Sequence, residues 1–133
     1  MQQIIIDQPA LAISYDYTYQ WLYVNWRGPH NQESTRAGCA IILEALSQWP
    51  TAKILNDNTN ITRASLQLTE WGVAWLRDMY AAGLRYLAWV YAADFDGRQA
   101  SEQLVRLMTH PTVVSFDDIE SAQAWLIQQK STH

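Results

Sequence analysis

The sequence predicts an α/β fold: a mixed β-sheet with an N-terminal antiparallel hairpin, then alternating helices and parallel strands. Three observations carry that expectation. Two period-2 runs, residues 11–17 and 21–26, flank a few polar residues around Thr18, the pattern of a hairpin. Residues 86–92 form a nearly continuous apolar run, the mark of a central strand covered on both faces. Between and beyond them, apolar residues recur at three- and four-residue spacing, the stripe of an amphipathic helix.

The elements follow in order. In the first run Leu11, Ile13, Tyr15 and Tyr17 share a face; in the second, Leu22, Val24 and Trp26 oppose Trp21, Tyr23 and Asn25. Ile4 to Ile6 reads as a further short strand, and Gly28-Pro29 punctuates the end of the hairpin. Asn31 reads as an N-cap, with Glu33 in the first turn where the helix dipole favours an acid. Ala37, Ala40, Ile41, Leu43 and Leu46 continue that helix to Trp49, and Pro50 stops it. A strand over residues 52–55 leads into five polar residues, Asn56 to Asn60, which read as a loop at a strand end. A second helix is expected from Ser65, with Leu68, Trp71, Trp75, Leu76 and Met79 inward and Gly83 at its left-handed cap. Asp94, Asp96 and Gly97 break the chain after the central strand. Leu104, Val105 and Met108 mark a third helix, residues 112–116 a short strand, and Asp117 with Glu120 the capped start of the last helix. Strands alternating with helices in the later half should be parallel, through right-handed crossovers.

Composition bounds the function. With 133 residues the chain reads as one domain over 1–133, long enough for a core without staples. The 13 acidic and 9 basic residues leave a net charge of −4 and no basic stripe, which argues against nucleic-acid binding. A single cysteine, Cys39, excludes an internal disulfide and reads as a small buried helix residue. His30, His110 and His133 share no ligand spacing, so no metal and no cofactor is expected. Asp94-Phe-Asp-Gly97 lacks the further ligands of a calcium loop. Asn60-Ile-Thr62 matches a glycosylation sequon, but the N-terminus has no signal-peptide pattern and no apolar run approaches ~20 residues, so a cytoplasmic location is expected. The oddity is 7 Trp and 7 Tyr against 2 Phe. Both carry a polar handle and favour the boundaries of cores, pockets and interfaces.

Three segments carry a family resemblance: Lys53-Ile-Leu-Asn-Asp-Asn-Thr59, Ala82-Gly-Leu-Arg-Tyr-Leu-Ala-Trp-Val-Tyr91 and Phe116-Asp-Asp-Ile-Glu-Ser-Ala-Gln-Ala-Trp-Leu126. With the element order, the chain resembles the STAS-like domains, which include bacterial anti-sigma-factor antagonists. It is closer still to small stand-alone bacterial proteins grouped with STAS and CRAL-TRIO-like lipid-binding domains. In the antagonist branch an Asp-Ser-Ser-Gly motif at a helix N-terminus is phosphorylated. The resemblance places Ala64-Ser65-Leu66-Gln67 over it, so the acid and the glycine are lost and Ser65 reads as a plain N-cap rather than a phospho-acceptor.

No catalytic set is present. Asp57 could serve as an acid, but no second group accompanies it. The expectation is a non-enzymatic regulatory or protein-interaction domain whose partner meets the loop Asn56, Asp57, Asn58, Thr59 and Asn60. The alternative is a carrier or sensor of a small apolar or lipid-like ligand, with Trp71, Trp75 and Trp89 around the pocket. Trp21 and Tyr23, on the outer face of the hairpin, are expected to form a homodimer interface.

Overall fold

A computed structural model describes residues 2–64, 70–91 and 110–130. Six strands form one sheet in sequence order: β1 (Gln2–Asp7), β2 (Leu11–Asp16), β3 (Trp21–His30), β4 (Lys53–Ala64), β5 (Tyr86–Val90) and β6 (Thr112–Phe116). The first two pairings are antiparallel and the last three parallel, so the hairpin feeds a parallel half. Helices α1 (Gln32–Gln48) and α2 (Glu70–Ala81) follow β3 and β4, and α3 (Ile119–Gln128) follows β6. Ser65, the residues 92–109 assigned to a chain break and a third helix, and His133 lie outside the described residues.

Strand alternation divides the interior into two cores. On one face Leu22, Ile54, Leu87 and Val113 meet Ile42, Leu46, Leu76 and Met79 of α1 and α2. On the other, Trp21, Leu55, Ala88 and Val90 meet Ala122 and Leu126 of α3. Each large aliphatic side chain removed from water in this way contributes roughly 1.5–3 kcal/mol. α1 and α2 lie on the same face because right-handed crossovers along a sheet built in sequence order must return over the same side.

Local chemistry sets the helix ends. Asn31 caps α1: its side chain accepts from Ser34 N at 2.8 Å, and Ser34 Oγ accepts from Asn31 N at 3.0 Å. α2 ends in a Schellman pair, Leu84 N to Met79 O and Gly83 N to Tyr80 O, each 3.0 Å. Gly83 takes φ +114 there, a conformation that side-chain-bearing residues rarely adopt. In α1, a Cβ on Gly38 would lie 2.5 Å from the far edge of the Trp26 indole, so glycine lets this helix close onto β3. The α3 cap falls on Asp118, one residue later than expected. Its carboxylate accepts from Ser121 N at 2.7 Å and Ser121 Oγ at 3.0 Å, which lowers the Asp118 pKa.

Two expectations are corrected. The five polar residues after Leu55 are not a loop: β4 continues through them to Ala64, paired with a β3 that runs on to His30. Trp21 is not exposed on the outside of the hairpin. It is 1% exposed beneath α3, with Tyr19 stacked on it at 4.7 Å, so its ring is not available to a second copy of the chain.

Candidate functional site

The carboxyl ends of the parallel strands are where an α/β sheet ordinarily presents a ligand or partner. Here the β4 sequence changes character at that point, from Ile54-Leu55 to Asn56-Asp57-Asn58-Thr59-Asn60. The polar residues remain in a strand because their side chains satisfy one another. Asn56 Nδ2 donates to Asn58 Oδ1 at 3.3 Å, Thr59 Oγ1 to Asp57 Oδ1 at 2.6 Å, and Asn60 Nδ2 to Asn25 Oδ1 at 2.8 Å.

A β-bulge lies within this run. Asn25 pairs with Asp57, but Arg27, two residues on, pairs with Asn60, three residues on, so β4 holds an extra residue at Asn58–Thr59. The Thr59 N–H released from regular pairing donates to Asp57 Oδ1 at 2.9 Å. The extra residue also reverses which side chains face which core. Asn60 therefore reaches Asn25 on the α3 face, while Ile61 packs into the α1/α2 core.

Asn56 and Asp57 look in opposite directions. On the α3 face Asp57 is 2% exposed and collects three donors. Tyr23 Oη donates to its Oδ2 at 2.5 Å, and both Thr59 donors reach Oδ1. Burial, and then this bond to a carboxylate, raise the Tyr23 pKa well above its ordinary value. On the α1/α2 face Asn56 Oδ1 accepts from Trp26 Nε1 at 2.8 Å. Trp89 stands beside Asn56 in register on β5, with Ser115 next on β6. The apolar row Ile54, Leu87 and Val113 thus gives way, one step toward the carboxyl ends, to Asn56, Trp89 and Ser115.

The three tryptophans assigned to an apolar pocket all belong to the α1/α2 core or pack against it, and each meets different partners. Trp75 is buried in the core, and its Nε1 donates to Cys39 O at 2.9 Å. Trp71 is partly buried under the Arg36 guanidinium, 5.2 Å from its ring centroid. Trp89 is partly buried, and its Nε1 is enclosed without a hydrogen-bond partner. Cys39 is buried, which pushes its thiol up to about 12 and makes it a poor nucleophile. Sequence reasoning missed Trp26 and Tyr23 as the partners of Asn56 and Asp57. Their signal was the strand alternation that puts Trp26 and Tyr23 on opposite faces of β3.

No family model matches the sequence, and no curated protein matches it. Solved structures do. An uncharacterised protein of the DUF3478 family with a SpoIIAA-like fold, from Shewanella loihica PV-4, superposes with a TM-score of 0.56 at 17% identity, covering 95% of each chain. The anti-sigma factor antagonist SpoIIAA in its unphosphorylated form superposes at 0.51 with 12% identity, covering 94% of this chain and 96% of its own. The fold is STAS-like, of the SpoIIAA kind. Within this SpoIIAA-like domain, β3 and β4 project beyond β5, whose pairing with β4 ends at Asp57 and Val90. Among the described residues no helix is long and apolar enough to cross a membrane.

Proposed function

We propose that this chain is a non-enzymatic regulatory or protein-interaction domain that meets a protein partner through the projecting end of β4. The observation that supports this reading is the split of the polar run into two kinds of residue. Asn56 and Asp57 are buried and hydrogen-bonded, so they act as internal struts rather than as the contact surface expected of them. Thr59, Asn60 and Thr62 are exposed on a stretch held extended by its pairing to β3. A rigid polar ridge of this kind offers side-chain donors and acceptors without a large ordering cost on association. The SpoIIAA-like fold agrees, since one protein that shares it is an anti-sigma factor antagonist.

The test places a photo-crosslinking amino acid at Thr59 or Asn60 in the cell of origin, with exposed Glu44 on α1 as control. A discrete protein adduct from 59 and 60, absent from 44 and lost in Thr62→Arg, is the expected result. Adducts of equal yield from all three positions would place the partner elsewhere. Turnover of any substrate abolished by Asp57→Asn would overturn the non-enzymatic reading.

A further inference from the structure

Lysine is rarely enclosed in a folded protein unless an anion accompanies it. Lys53, the first residue of β4, is 5% exposed. Strand alternation turns it to the α3 side, two residues before Leu55 of that core. Leu22 pairs with Ile54, so Trp21 abuts Lys53 on β3. On β5 Lys53 pairs with Tyr86, which stands edge-on to Trp125 of α3. These flanking groups are aromatic and bring no counter-charge. The acid in this row, Asp16, lies two strands away beyond Trp21, and its carboxylate accepts from Thr18 N at 2.9 Å and Tyr19 N at 3.1 Å. Among the described residues the ion pair is that of Arg27 with Asp7, and no acceptor meets the Lys53 ammonium; only its backbone N reaches a side chain, Thr51 Oγ1 at 3.2 Å.

The ammonium thus bears a desolvation cost with nothing to offset it, and burial lowers its pKa. A larger neutral fraction makes the amine a better nucleophile. Access is retained. Trp89 Nε1 is the side-chain polar atom both sealed and unpartnered among the described residues, so the Lys53 Nζ still meets water. Covalent loss of the charge is the change this setting favours, because an amide keeps the stem in place and needs no counterion. The narrow opening restricts the added group to a short one. We propose that Lys53 is a modification site, whose Nζ takes a short acyl group from an acyl phosphate. The neutral Nζ attacks the acyl carbonyl carbon and a C–N bond forms. The C–O bond to phosphate breaks, phosphate leaves with the bonding pair, and the amine's proton passes to water. This site is at the amino end of β4, away from the polar ridge, and does not depend on the protein-interaction reading; either can fail alone.

The chain carries two lysines, Lys53 and the exposed Lys130, so one serves as the control for the other. Folded wild-type protein is incubated with acetyl phosphate at neutral pH, and acetylation of each lysine is followed in time by peptide mass spectrometry. The expected result is acetylation of Lys53 at least about fivefold faster than of Lys130. In concentrated urea the two rates should become equal, and the protein acetylated at Lys53 should unfold at a urea concentration no lower than the unmodified chain. Acetylation of Lys53 no faster than of Lys130 in the folded protein overturns the proposal. A preference that persists in urea also overturns it, since it would then come from local sequence and not from enclosure. Marked destabilisation by the acetyl group would show that the fold needs the charge, and is the third result that overturns it. No variant is required, so a failure to fold cannot blunt the test.

Discussion

The two sides of β4 at Asn56 and Asp57 use neighbouring residues for different ends. On the α3 side, an acid, a phenol and a threonine close into a complete hydrogen-bonded set around one bulge. On the α1/α2 side, Asn56 satisfies Trp26 but leaves Trp89, its neighbour in the sheet, unsatisfied. The first arrangement is what stability favours; the second retains the local cost of one unpaired buried donor. Adjacent positions on one strand thus meet different surroundings merely by pointing to opposite faces.

Substitutions on the two sides should therefore differ in size and kind. Asp57→Ala removes the acceptor of three donors at a 2% exposed position, so urea unfolding should show a loss of about 3 kcal/mol. A loss below ~1 kcal/mol would mean that water replaces the carboxylate and that the α3 side is not closed. Asn56→Leu keeps the branched outline in a larger side chain but strands the Trp26 N–H, and a loss of about 2 kcal/mol is expected in the same assay.

Tyr23→Phe should cost about 1.5 kcal/mol at neutral pH, since it removes one bond to a carboxylate. Its pH dependence is the sharper test. The folded Tyr23 pKa lies above the ordinary value of 10.0, so its contribution is complete below that value and is lost as pH rises through the folded pKa. Wild-type stability should fall above pH ~10 more steeply than that of Tyr23→Phe, with both compared by denaturant midpoint. Parallel curves would show that the phenol does not sense the carboxylate. The smallest effect is expected at the exposed rim: Asn60→Ala, which breaks the bond to Asn25, should change stability by less than ~0.5 kcal/mol.

Much of this architecture was legible from residue patterns. Alternation assigned Leu22, Val24 and Trp26 to one face of β3 and Trp21, Tyr23 and Asn25 to the other, and the apolar run beginning at Tyr86 marked the strand that lies between β4 and β6. Asn31 was readable as a cap because its chemistry is local. What failed depended on distant partners. Asn and Asp favour turns by bonding to nearby backbone, yet here Asn25 and Tyr23 of β3 take up part of that bonding capacity and hold the segment extended. Trp21 read as exposed because α3, more than ninety residues later in sequence, is what covers it. The bulge, which decides that Ile61 turns inward, has no composition of its own and emerges only from the register with β3.

The contact between Gly38 and Trp26 couples two positions that are distant in chemistry: neither can change size alone. The indole cannot swing aside to admit a larger residue, because Asn56 holds its nitrogen and His30 packs edge-on against its ring, with centroids 5.1 Å apart. A methyl group at 38 would demand a smaller ring at 26, and a smaller ring would abandon Asn56. In any lineage of this chain glycine, tryptophan and asparagine should thus be inherited as a set, each substitution being tolerated only after the others have changed.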